Sequence, residues 1–268
     1  MDLKKKTVHD FWERASCGEA LYLKRFASDS YDSHAQHRYT LEPYIQDFAG
    51  FESAKGKKVL EIGVGLGADH ERFAEAGAEL WGVDLTSRAI EHVRQRLSAR
   101  ALKSNLSVGD AENLSFNDNT FDTVYSWGVL HHTPDTRKAI SEVWRVLRPG
   151  GVAKIMIYHK WSLVGYMLWV RFALIRLRPW LSLADVYSNH LESPGTKAYT
   201  APEARQMFSA FTKVDIRVFL THADLLASEA GQTHNGLFLS VARRMWPRHL
   251  LRKWAQRHGL FLAIHATK

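Results

Sequence analysis

The feature that most constrains the fold is a short apolar segment with three glycines at alternate positions, V-L-E-I-G-V-G-L-G at residues 59–67. Residues 57–62 have the length and apolar character of a buried strand, and residues 68–77 have helical spacing. A strand, a glycine turn and a helix in this order are typical of the first unit of a nucleotide-binding α/β sheet. Because glycine lets a ligand lie against the backbone, the segment predicts a ligand site at the turn.

The acid before this turn, Glu61, bears on the kind of ligand. The glycine spacing is G-x-G-x-G and differs from the G-x-G-x-x-G of nicotinamide enzymes. A pyrophosphate is favoured at a helix N-terminus that has no carboxylate beside it. Glu61 instead favours a ligand that carries a positive charge. The pattern therefore indicates a cationic adenosyl ligand rather than a nicotinamide dinucleotide.

Two more acids occur at the ends of predicted strands. Asp84 closes a strand at 79–84, and Asp110 follows a strand at 106–109. Asp84 is placed to accept hydrogen bonds from both ribose hydroxyls of an adenosine, and Asp110 suits the adenine amino group. Because right-handed crossovers make these strands parallel, we expect both acids and Glu61 at one edge of the sheet.

Two further strands are predicted at 121–127 and 152–158, and with them a family resemblance is complete. The sequence resembles the class I S-adenosylmethionine-dependent methyltransferases of the small-molecule type. The segments that carry the resemblance are VLEIGVGLGAD (59–69), VDLT (83–86), GDAENLSF (109–116), FDTVYSWGVLHHTPD (121–135) and LRPGGVAKIMIYH (147–159). The resemblance implies an α/β fold with a doubly wound, seven-stranded, mostly parallel sheet. Its closing hairpin would come from 213–220 and 236–243, the second strand inserting between the fifth and sixth.

The resemblance also implies S-adenosylmethionine as the cofactor, S-adenosylhomocysteine as the product, and the residues that hold them. The methionine moiety would lie at Glu61 and the glycine turn, the ribose at Asp84, and the adenine at Asp110. The backbone around Ser126 would bind the amino group. The complete predicted set is Glu61, Gly63, Gly65, Gly67, Asp69, Asp84, Leu85, Asp110, Ala111, Glu112, Ser126 and Trp127.

Candidate catalytic bases follow the fourth and fifth predicted strands. Methyl transfer is an in-line displacement that needs chiefly alignment, so a base matters only when the acceptor must lose a proton. His131 and His132 follow strand four, and Tyr158 and His159 follow strand five as weaker candidates. Imidazole can take a hydroxyl or phenol proton near neutral pH. The alternative is that one histidine caps the next turn while the other packs on the cofactor.

Composition divides the chain into five parts. They are an N-terminal helical cover (1–50), the cofactor-binding core (51–159), a helical insertion or lid (160–200), the end of the core sheet (201–245) and a basic amphipathic tail (246–268). The aromatic-rich cover and the polar run at 185–200 are candidates for substrate contact, and the alternatives are edge packing and an ordinary loop. The candidate substrate residues are Tyr31, Arg38, Tyr39, Tyr187, Asn189, His190, Lys197 and Tyr199.

Two apolar and basic segments leave several partners open. Residues 161–178 are too short and too charged for a spanning helix, which needs about 20 apolar residues. Their apolar side chains go nearly all round, which favours a lid or a homodimer face over a helix lying on lipid. The net charge of +8 comes from the C-terminal end, because no acid follows Glu229. Residues 246–264 suit anionic lipid, or packing on the N-terminal helices with the basic groups in water.

Some classes of site and location are disfavoured. We predict no metal site, because the histidines are scattered and the single cysteine, Cys17, supplies no ligand cluster. One cysteine excludes an internal disulfide, and no apolar run follows the N-terminus as in a signal peptide. These observations favour a cytoplasmic protein, with or without contact to a membrane surface.

The sequence therefore predicts a methyltransferase (EC 2.1.1.-) acting on an oxygen or nitrogen of a small-molecule acceptor. One alternative is a lipid, quinone or lipid-linked acceptor at the membrane surface. Another is a non-catalytic, cofactor-binding partner in an RNA-modifying complex. Nucleic acid is disfavoured as a partner, because 126–129 is S-W-G-V and lacks the Asn-Pro-Pro type of motif used for base methylation.

Overall fold

A single seven-stranded sheet organises the part of the chain that the computed structural model describes, residues 2–19, 28–227 and 243–268. Its strands are β1 Lys58–Ile62, β2 Glu79–Asp84, β3 Asn105–Val108, β4 Phe121–Trp127, β5 Leu147–Tyr158, β6 Lys213–Phe219 and β7 Phe261–Thr267. They lie in the order β3-β2-β1-β4-β5-β7-β6, with β1 to β5 parallel and β7 antiparallel to both of its neighbours. The predicted doubly wound, mostly parallel sheet is confirmed.

Helices cover both faces of this sheet, and several begin at a side-chain cap. They are α1 Leu3–Arg14, α2 Ser28–Leu41, α3 Tyr44–Ala49, α4 Ala68–Glu75, α5 Ser87–Ser98, α6 Thr136–Val146, α7 Leu163–Trp169, α8 Leu183–His190, α9 Ala201–Met207 and α10 Arg248–Trp254. Thr86 accepts a hydrogen bond from the Ala89 amide at the start of α5, and Asp135 caps α6 in the same way through the Lys138 amide. Such caps satisfy amides that have no partner within the helix.

The strands are apolar on both sides because both faces of the sheet are covered. Leu60 belongs to a core that includes residues of α6 and α9. Its neighbour Val59 points the other way, into a core formed with α3, α7 and α8. Neither side chain has any exposed surface. This arrangement leaves the carboxyl ends of the parallel strands as the edge at which ligands bind in such sheets.

The strand between β5 and β6 is not the one that the sequence predicts. Residues 236–243 are expected there, and 236–242 lie outside the described residues. The position is occupied by β7, whose Leu262 and Ile264 are fully buried. The prediction is wrong because the apolar residues 260–264 come soon after the basic helix α10. In the sequence, the two segments together look like one amphipathic tail. As residues 261–264 lie in the sheet and Leu260 is buried beside it, they cannot form a lipid-facing surface.

The insertion after β5 is buried on one side only. Val164, Leu168 and Phe172 recur every four residues and are buried, as on the inner face of a helix. Residues 174–180, in contrast, are all exposed, so the described part of the chain does not cover them, and the expected lid or homodimer face stays a prediction. Within the described residues, no helix has the length and apolar character needed to cross a bilayer.

The role of β7 in the core can be tested by cavity formation. We expect Ile264→Ala to lower the free energy of unfolding by about 2–5 kcal/mol, because the side chain is fully buried. The control Leu250→Ala removes a side chain that is 61% exposed on α10 and should change it by less than about 0.5 kcal/mol. Urea denaturation of the two variants makes the comparison. Equal losses would contradict the placement of β7.

Candidate active site

In the glycine turn after β1, Gly63 and Gly65 are favoured for two different structural reasons. Gly63, Gly65 and Gly67 all have positive φ, at 81°, 50° and 77°. A Cβ on Gly63 would lie 2.1 Å from a methyl group of Val129, so packing excludes a side chain there. A Cβ on Gly65 would meet no atom within 4 Å. The backbone at Gly65 is therefore an open wall against which a ligand can lie.

This wall borders a cavity of about 640 Å³ at the carboxyl ends of the parallel strands. Most of the predicted cofactor residues line it. They are Glu61, Gly63, Gly65, Gly67, Asp69, Asp84, Leu85, Asp110, Ala111 and Trp127. Ser126 and Glu112 do not line the cavity: the Ser126 hydroxyl donates to the Ile62 carbonyl at 2.9 Å, and Glu112 accepts from the Asp135 amide at 2.7 Å.

All three predicted acids are hydrogen-bonded within the protein, and Asp84 and Glu61 bond residues close to them in sequence. Asp84 Oδ1 accepts from the amide and hydroxyl of Thr86 at 3.0 and 2.8 Å, and burial raises the pKa of this carboxyl despite those bonds. Glu61 Oε2 lies 2.8 Å from His70 Nδ1. Burial raises the pKa of Glu61 and lowers that of His70 to about 3, so His70 is neutral. Because the Ser104 hydroxyl donates to the Leu80 carbonyl, His70 Nε2 donates to Ser104, and its Nδ1 accepts from the protonated Glu61 carboxyl.

The third acid, Asp110, has a partner that the sequence did not indicate. Lys5 of α1 places Nζ 2.5 Å from Asp110 Oδ2 and 2.7 Å from Glu112 Oε2. The two residues lie more than 100 positions from Lys5, and no local pattern predicts the contact. Helix α1 therefore covers the predicted adenine end of the cavity through a charge pair.

Asp69 is the centre of a buried polar network. It accepts hydrogen bonds from Arg38 at 2.7 and 3.2 Å, from the Tyr39 hydroxyl at 2.9 Å and from the Tyr125 hydroxyl at 2.7 Å. Burial alone would raise the pKa of Asp69, but the charge and hydrogen bonds of Arg38 hold it below its usual value. Arg38 was predicted to contact substrate; it lines the cavity, but its donors are directed at Asp69.

The opposite end of the cavity holds His132, Tyr158 and Glu192. His132 Nδ1 lies 2.8 Å from Ser193 Oγ and its Nε2 lies 3.3 Å from Glu192 Oε2. Glu192 Oε2 also accepts from the Tyr158 hydroxyl at 2.8 Å. Burial raises the pKa of Glu192, but His132 and the Tyr158 hydroxyl outweigh this and leave the pKa lowered. Glu192 was not among the predicted residues, because nothing local marks it out within the polar run 185–200.

The other two catalytic candidates lie behind the cavity wall. His131 is fully buried, its ring lies 4.0 Å from the Tyr158 ring, and neither of its nitrogens has a hydrogen-bond partner among the described residues. Burial lowers its pKa far below the usual value, so it stays neutral. His159 Nδ1 lies 3.1 Å from the Gly259 carbonyl oxygen. In the described part of the chain, His131, His132 and Glu192 form a group whose ligand atoms lie within 4.8 Å, a proximity that the sequence prediction of no metal site did not foresee.

Six of the eight predicted substrate residues satisfy their polar groups or pack elsewhere in the protein. None of the six lines the cavity. Their contacts are Tyr31 to His92, Tyr187 to Ser162, Asn189 to the Asp185 carbonyl, His190 stacked on Phe172, Lys197 to the Thr133 carbonyl, and the Tyr199 amide to the Tyr158 carbonyl. Tyr39 likewise bonds Asp69 and lies outside the cavity lining, which leaves only Arg38 of the eight at the cavity.

Comparison with known proteins agrees with this geometry. The methyltransferase domain family matches residues 60–155. Phosphoethanolamine N-methyltransferase 2 of Caenorhabditis elegans is 36% identical over 118 residues, which are 43% of this chain and 26% of the relative. Sterol 24-C-methyltransferase ERG6A of Gibberella zeae is 32% identical over 140 residues, 50% of this chain and 35% of the relative. The chain therefore aligns with only about a quarter to a third of the length of these two relatives.

Solved structures extend the likeness of fold beyond the matched domain. The phosphoethanolamine N-methyltransferase 2 of Haemonchus contortus, solved with S-adenosylhomocysteine, superposes with a TM-score of 0.60 at 16% identity. The superposition covers 97% of this chain and 60% of that one. A methyltransferase from Mesorhizobium loti gives a TM-score of 0.52 at 18% identity, covering 80% and 92%. Residues 60–155 therefore belong to the methyltransferase domain family, and the described residues have the fold of the class I S-adenosylmethionine-dependent methyltransferases.

The predicted cofactor, S-adenosylmethionine, is confirmed at the level of the family. The cavity suits it in shape, because the wall at Gly65 is open to a ligand. The cavity also suits the charge of the cofactor, because the described residues that line it include six Asp or Glu side chains but only two Lys or Arg side chains, Lys5 and Arg38. A cation is favoured in such a cavity.

One cavity residue makes the stability of the protein depend on pH. Glu42 lies 3.7 Å from Arg38 and 3.8 Å from His222, and burial raises the pKa of its carboxyl to about 7 despite the Arg38 charge. Between about pH 4.5 and 7 the unfolded chain has released a proton that the folded chain still holds. The raised pKa therefore makes the free energy of unfolding fall as pH rises through this window.

We expect Glu42→Gln to remove this dependence. The free energy of unfolding of the variant, minus that of the unsubstituted protein, should increase by about 3 kcal/mol from pH 4.5 to pH 8. This amount is the free energy equivalent of the raised pKa of Glu42. Urea denaturation across that range measures it. The exposed Glu79→Gln serves as control and should follow the unsubstituted protein. A constant difference between Glu42→Gln and the unsubstituted protein would show that Glu42 does not titrate in this window.

Proposed function

We propose that the protein transfers a methyl group from S-adenosylmethionine to an oxygen or nitrogen of a small-molecule acceptor. The observation that carries the proposal is a single cavity that joins the glycine turn and strand-end acids to His132 and Tyr158. A donor at one end and a proton acceptor at the other is the arrangement that methyl transfer needs. The two relatives described above are named for methylation of phosphoethanolamine and of sterol, and another relative, 35% identical over 131 residues, for methylation of tocopherol; these names support a small-molecule acceptor.

In this proposal the strand ends hold the cofactor. Asp84 accepts from the ribose hydroxyls, since its carboxylate faces the cavity next to Leu85. Asp110 and Ala111 lie at the adenine, with Lys5 closing that end from α1. The backbone at Gly63 and Gly65, with Glu61 behind it, lies along the methionine moiety. Glu112 and Ser126 support the site from outside the cavity.

His132 is the proposed base. The Thr196 hydroxyl donates to the Ser193 carbonyl at 2.6 Å, so its oxygen accepts either from His132 Nδ1, 3.1 Å away, or from the Ser193 hydroxyl, 3.3 Å away. In the proposed tautomer the imidazole proton is on Nδ1, where the Thr196 and Ser193 oxygens can accept it, and the lone pair is on Nε2. Glu192, 3.3 Å from Nε2, stabilises the imidazolium that forms when Nε2 takes a proton. The bound cofactor supplies the methyl group, which moves by in-line displacement.

The cofactor site is tested by Asp84→Ala. Because two hydrogen bonds to a charged acceptor are lost, we expect the affinity for S-adenosylmethionine to fall at least about tenfold, measured by calorimetry. Asp118→Ala removes an exposed carboxylate of the β3–β4 connection that pairs with Arg145, and it should leave the affinity unchanged. Undiminished binding by Asp84→Ala, in a variant that remains folded, would remove the proposed cofactor site.

The base is tested by His132→Asn. Methyl transfer to an extract of small metabolites, followed by S-adenosylhomocysteine formation, should slow by about 10²–10⁴-fold. The affinity for S-adenosylmethionine should stay the same, because His132 lies at the other end of the cavity. His159→Asn should keep its activity, since His159 lies behind the wall. The reverse result, with His159→Asn inactive and His132→Asn active, would assign the base to His159.

A second candidate function is methyl transfer to a lipid or quinone at a membrane surface. Residues 174–180 are exposed and combine large apolar side chains with arginines. These residues are Leu174, Ile175, Arg176, Leu177, Arg178 and Trp180. A basic and apolar surface of this kind suits anionic lipid. Relatives named for sterol and ubiquinone methylation support such an acceptor.

Vesicle flotation separates this candidate from the first. With phosphatidylglycerol vesicles we expect the protein to float, and the double substitution Leu177→Ser and Trp180→Ser to reduce the floating fraction. The matched control replaces two exposed apolar residues elsewhere, Leu3→Ser and Val108→Ser. If the unsubstituted protein stays at the bottom of the gradient, the membrane-surface candidate is removed.

A further inference from the structure

Within the described part of the chain, every lysine and arginine that lines the cavity is already paired with an acid, so none is left to pair with an anionic acceptor. Among the described residues that line it, the side chains of Lys and Arg are Lys5 and Arg38. Lys5 pairs with Asp110 and Glu112. Arg38 directs two nitrogens at Asp69, and its third lies 3.7 Å from Glu42. A phosphate or carboxylate on the acceptor would therefore be buried among acids without a counter-ion.

The carboxyl groups can be divided between the two ends of the cavity. Under the proposed function, Glu61, Asp84 and Asp110 lie at the cofactor. Asp69 is neutralised by Arg38. Of the six carboxyl groups, Glu42 and Glu192 are left at the acceptor end. Glu192 is the better placed for a ligand, because its partners are a hydroxyl and an imidazole and no Lys or Arg of the described residues pairs with it.

Aromatic rings surround the same end. Trp12 of α1 lies edge-on to the His132 ring, with ring centroids 5.4 Å apart. Tyr158 is stacked with Phe261 at 6.0 Å, and Phe261 packs edge-on to Trp127 at 5.6 Å. All five side chains line the cavity. A carboxylate beside aromatic faces is the environment that binds ammonium groups, since ring quadrupole and carboxylate attract the same charge.

We propose that the methyl acceptor is an amine on an apolar skeleton, bound as its ammonium ion by Glu192 within this aromatic end, with Glu42 as a second acid. The acceptor atom is then nitrogen, and the product is the N-methylated amine. This inference rests on the proposed function, and it excludes acceptors that carry a phosphate or carboxylate near the reacting atom.

The chemical step balances within the named groups. The bound ammonium gives one proton to His132 Nε2, which frees the nitrogen lone pair. The lone pair forms a bond to the methyl carbon while the carbon–sulfur bond breaks, and that electron pair stays on sulfur as the neutral thioether of S-adenosylhomocysteine. The product leaves as the N-methylammonium ion, and the proton on His132 passes to water. Glu192 stays ionised throughout and holds the positive charge in place.

The experiment compares matched ligands that differ only in the polar group. Binding to the protein saturated with S-adenosylhomocysteine is measured by calorimetry for sets with phenyl, indolyl and alkyl skeletons, each as amine, alcohol and carboxylate. The members of the phenyl set are 2-phenylethylamine, 2-phenylethanol and 3-phenylpropanoate. We expect at least one amine to bind at least about tenfold more tightly than its alcohol and to be methylated at nitrogen. If no amine exceeds its alcohol, or a carboxylate binds best, the inference is overturned.

Variants locate the binding group. Glu192→Gln should weaken the amine at least about tenfold and leave the alcohol unchanged. Glu91→Gln, an exposed glutamate on α5, is the matched control and should change neither. Equal weakening of amine and alcohol would show that Glu192 only shapes the pocket and would overturn its assignment.

Two further readouts separate an ammonium site from a metal site and from a failure of cofactor binding. Calorimetry with S-adenosylmethionine alone tests the proposed function; absence of that binding removes both proposals, whereas cofactor binding without amine preference removes only this one. Because His131, His132 and Glu192 are also close enough to share a metal ion, amine binding is repeated with EDTA and with added Zn²⁺. Amine binding that is unchanged supports an ammonium site. Amine binding lost with EDTA and restored by Zn²⁺ would assign the cluster to a metal instead.

Discussion

The buried carboxylate of Asp69 is the interaction on which the rest of the site depends. It stands in the first turn of α4, directly after the glycine turn, and accepts from Arg38 of the cover and Tyr125 of β4. One acid thus joins the N-terminal helices to the sheet at the point where the cavity begins. Because Arg38 is paired with Asp69, it does not balance the charge of the other acidic side chains. The cavity therefore has more acidic than basic groups. The same pairing therefore holds the cover in place and determines which ligands the cavity suits.

The cavity draws on parts of the chain that are far apart in sequence. The parallel strands supply the glycine turn and acids at one end, α1 closes that end through Lys5, and the insertion supplies Glu192 at the other. Strand ends are set by the sheet and hold the cofactor groups in a constant geometry. The acceptor end is assembled from the cover and the insertion, so acceptor preference can differ between proteins that share the core.

The sequence predictions are accurate where a feature depends on residues close together in the sequence. They are less accurate where it depends on contacts between distant residues. Strands β2 and β4 have the predicted bounds, because their apolar runs end at turn residues that are visible locally. Strand β7 was missed, since a basic helix precedes it and its partner strands lie elsewhere in the chain. Tyr31 and Tyr187 were chosen for their hydrogen-bonding groups, yet both bond other parts of the protein. The sequence shows that a polar side chain in an insertion can form hydrogen bonds, but tertiary packing decides which group it bonds to.

The sequence by itself determined the α/β fold, the cofactor class and the acids at the strand ends, because these depend on spacing within about ten residues of a strand. The tertiary structure alone decided that His132 rather than His131 faces the cavity, that Glu192 joins it, and that Lys5 pairs with Asp110. Those contacts join residues sixty or more positions apart. Their formation depends on how the cover and insertion pack on the sheet, which no local pattern records.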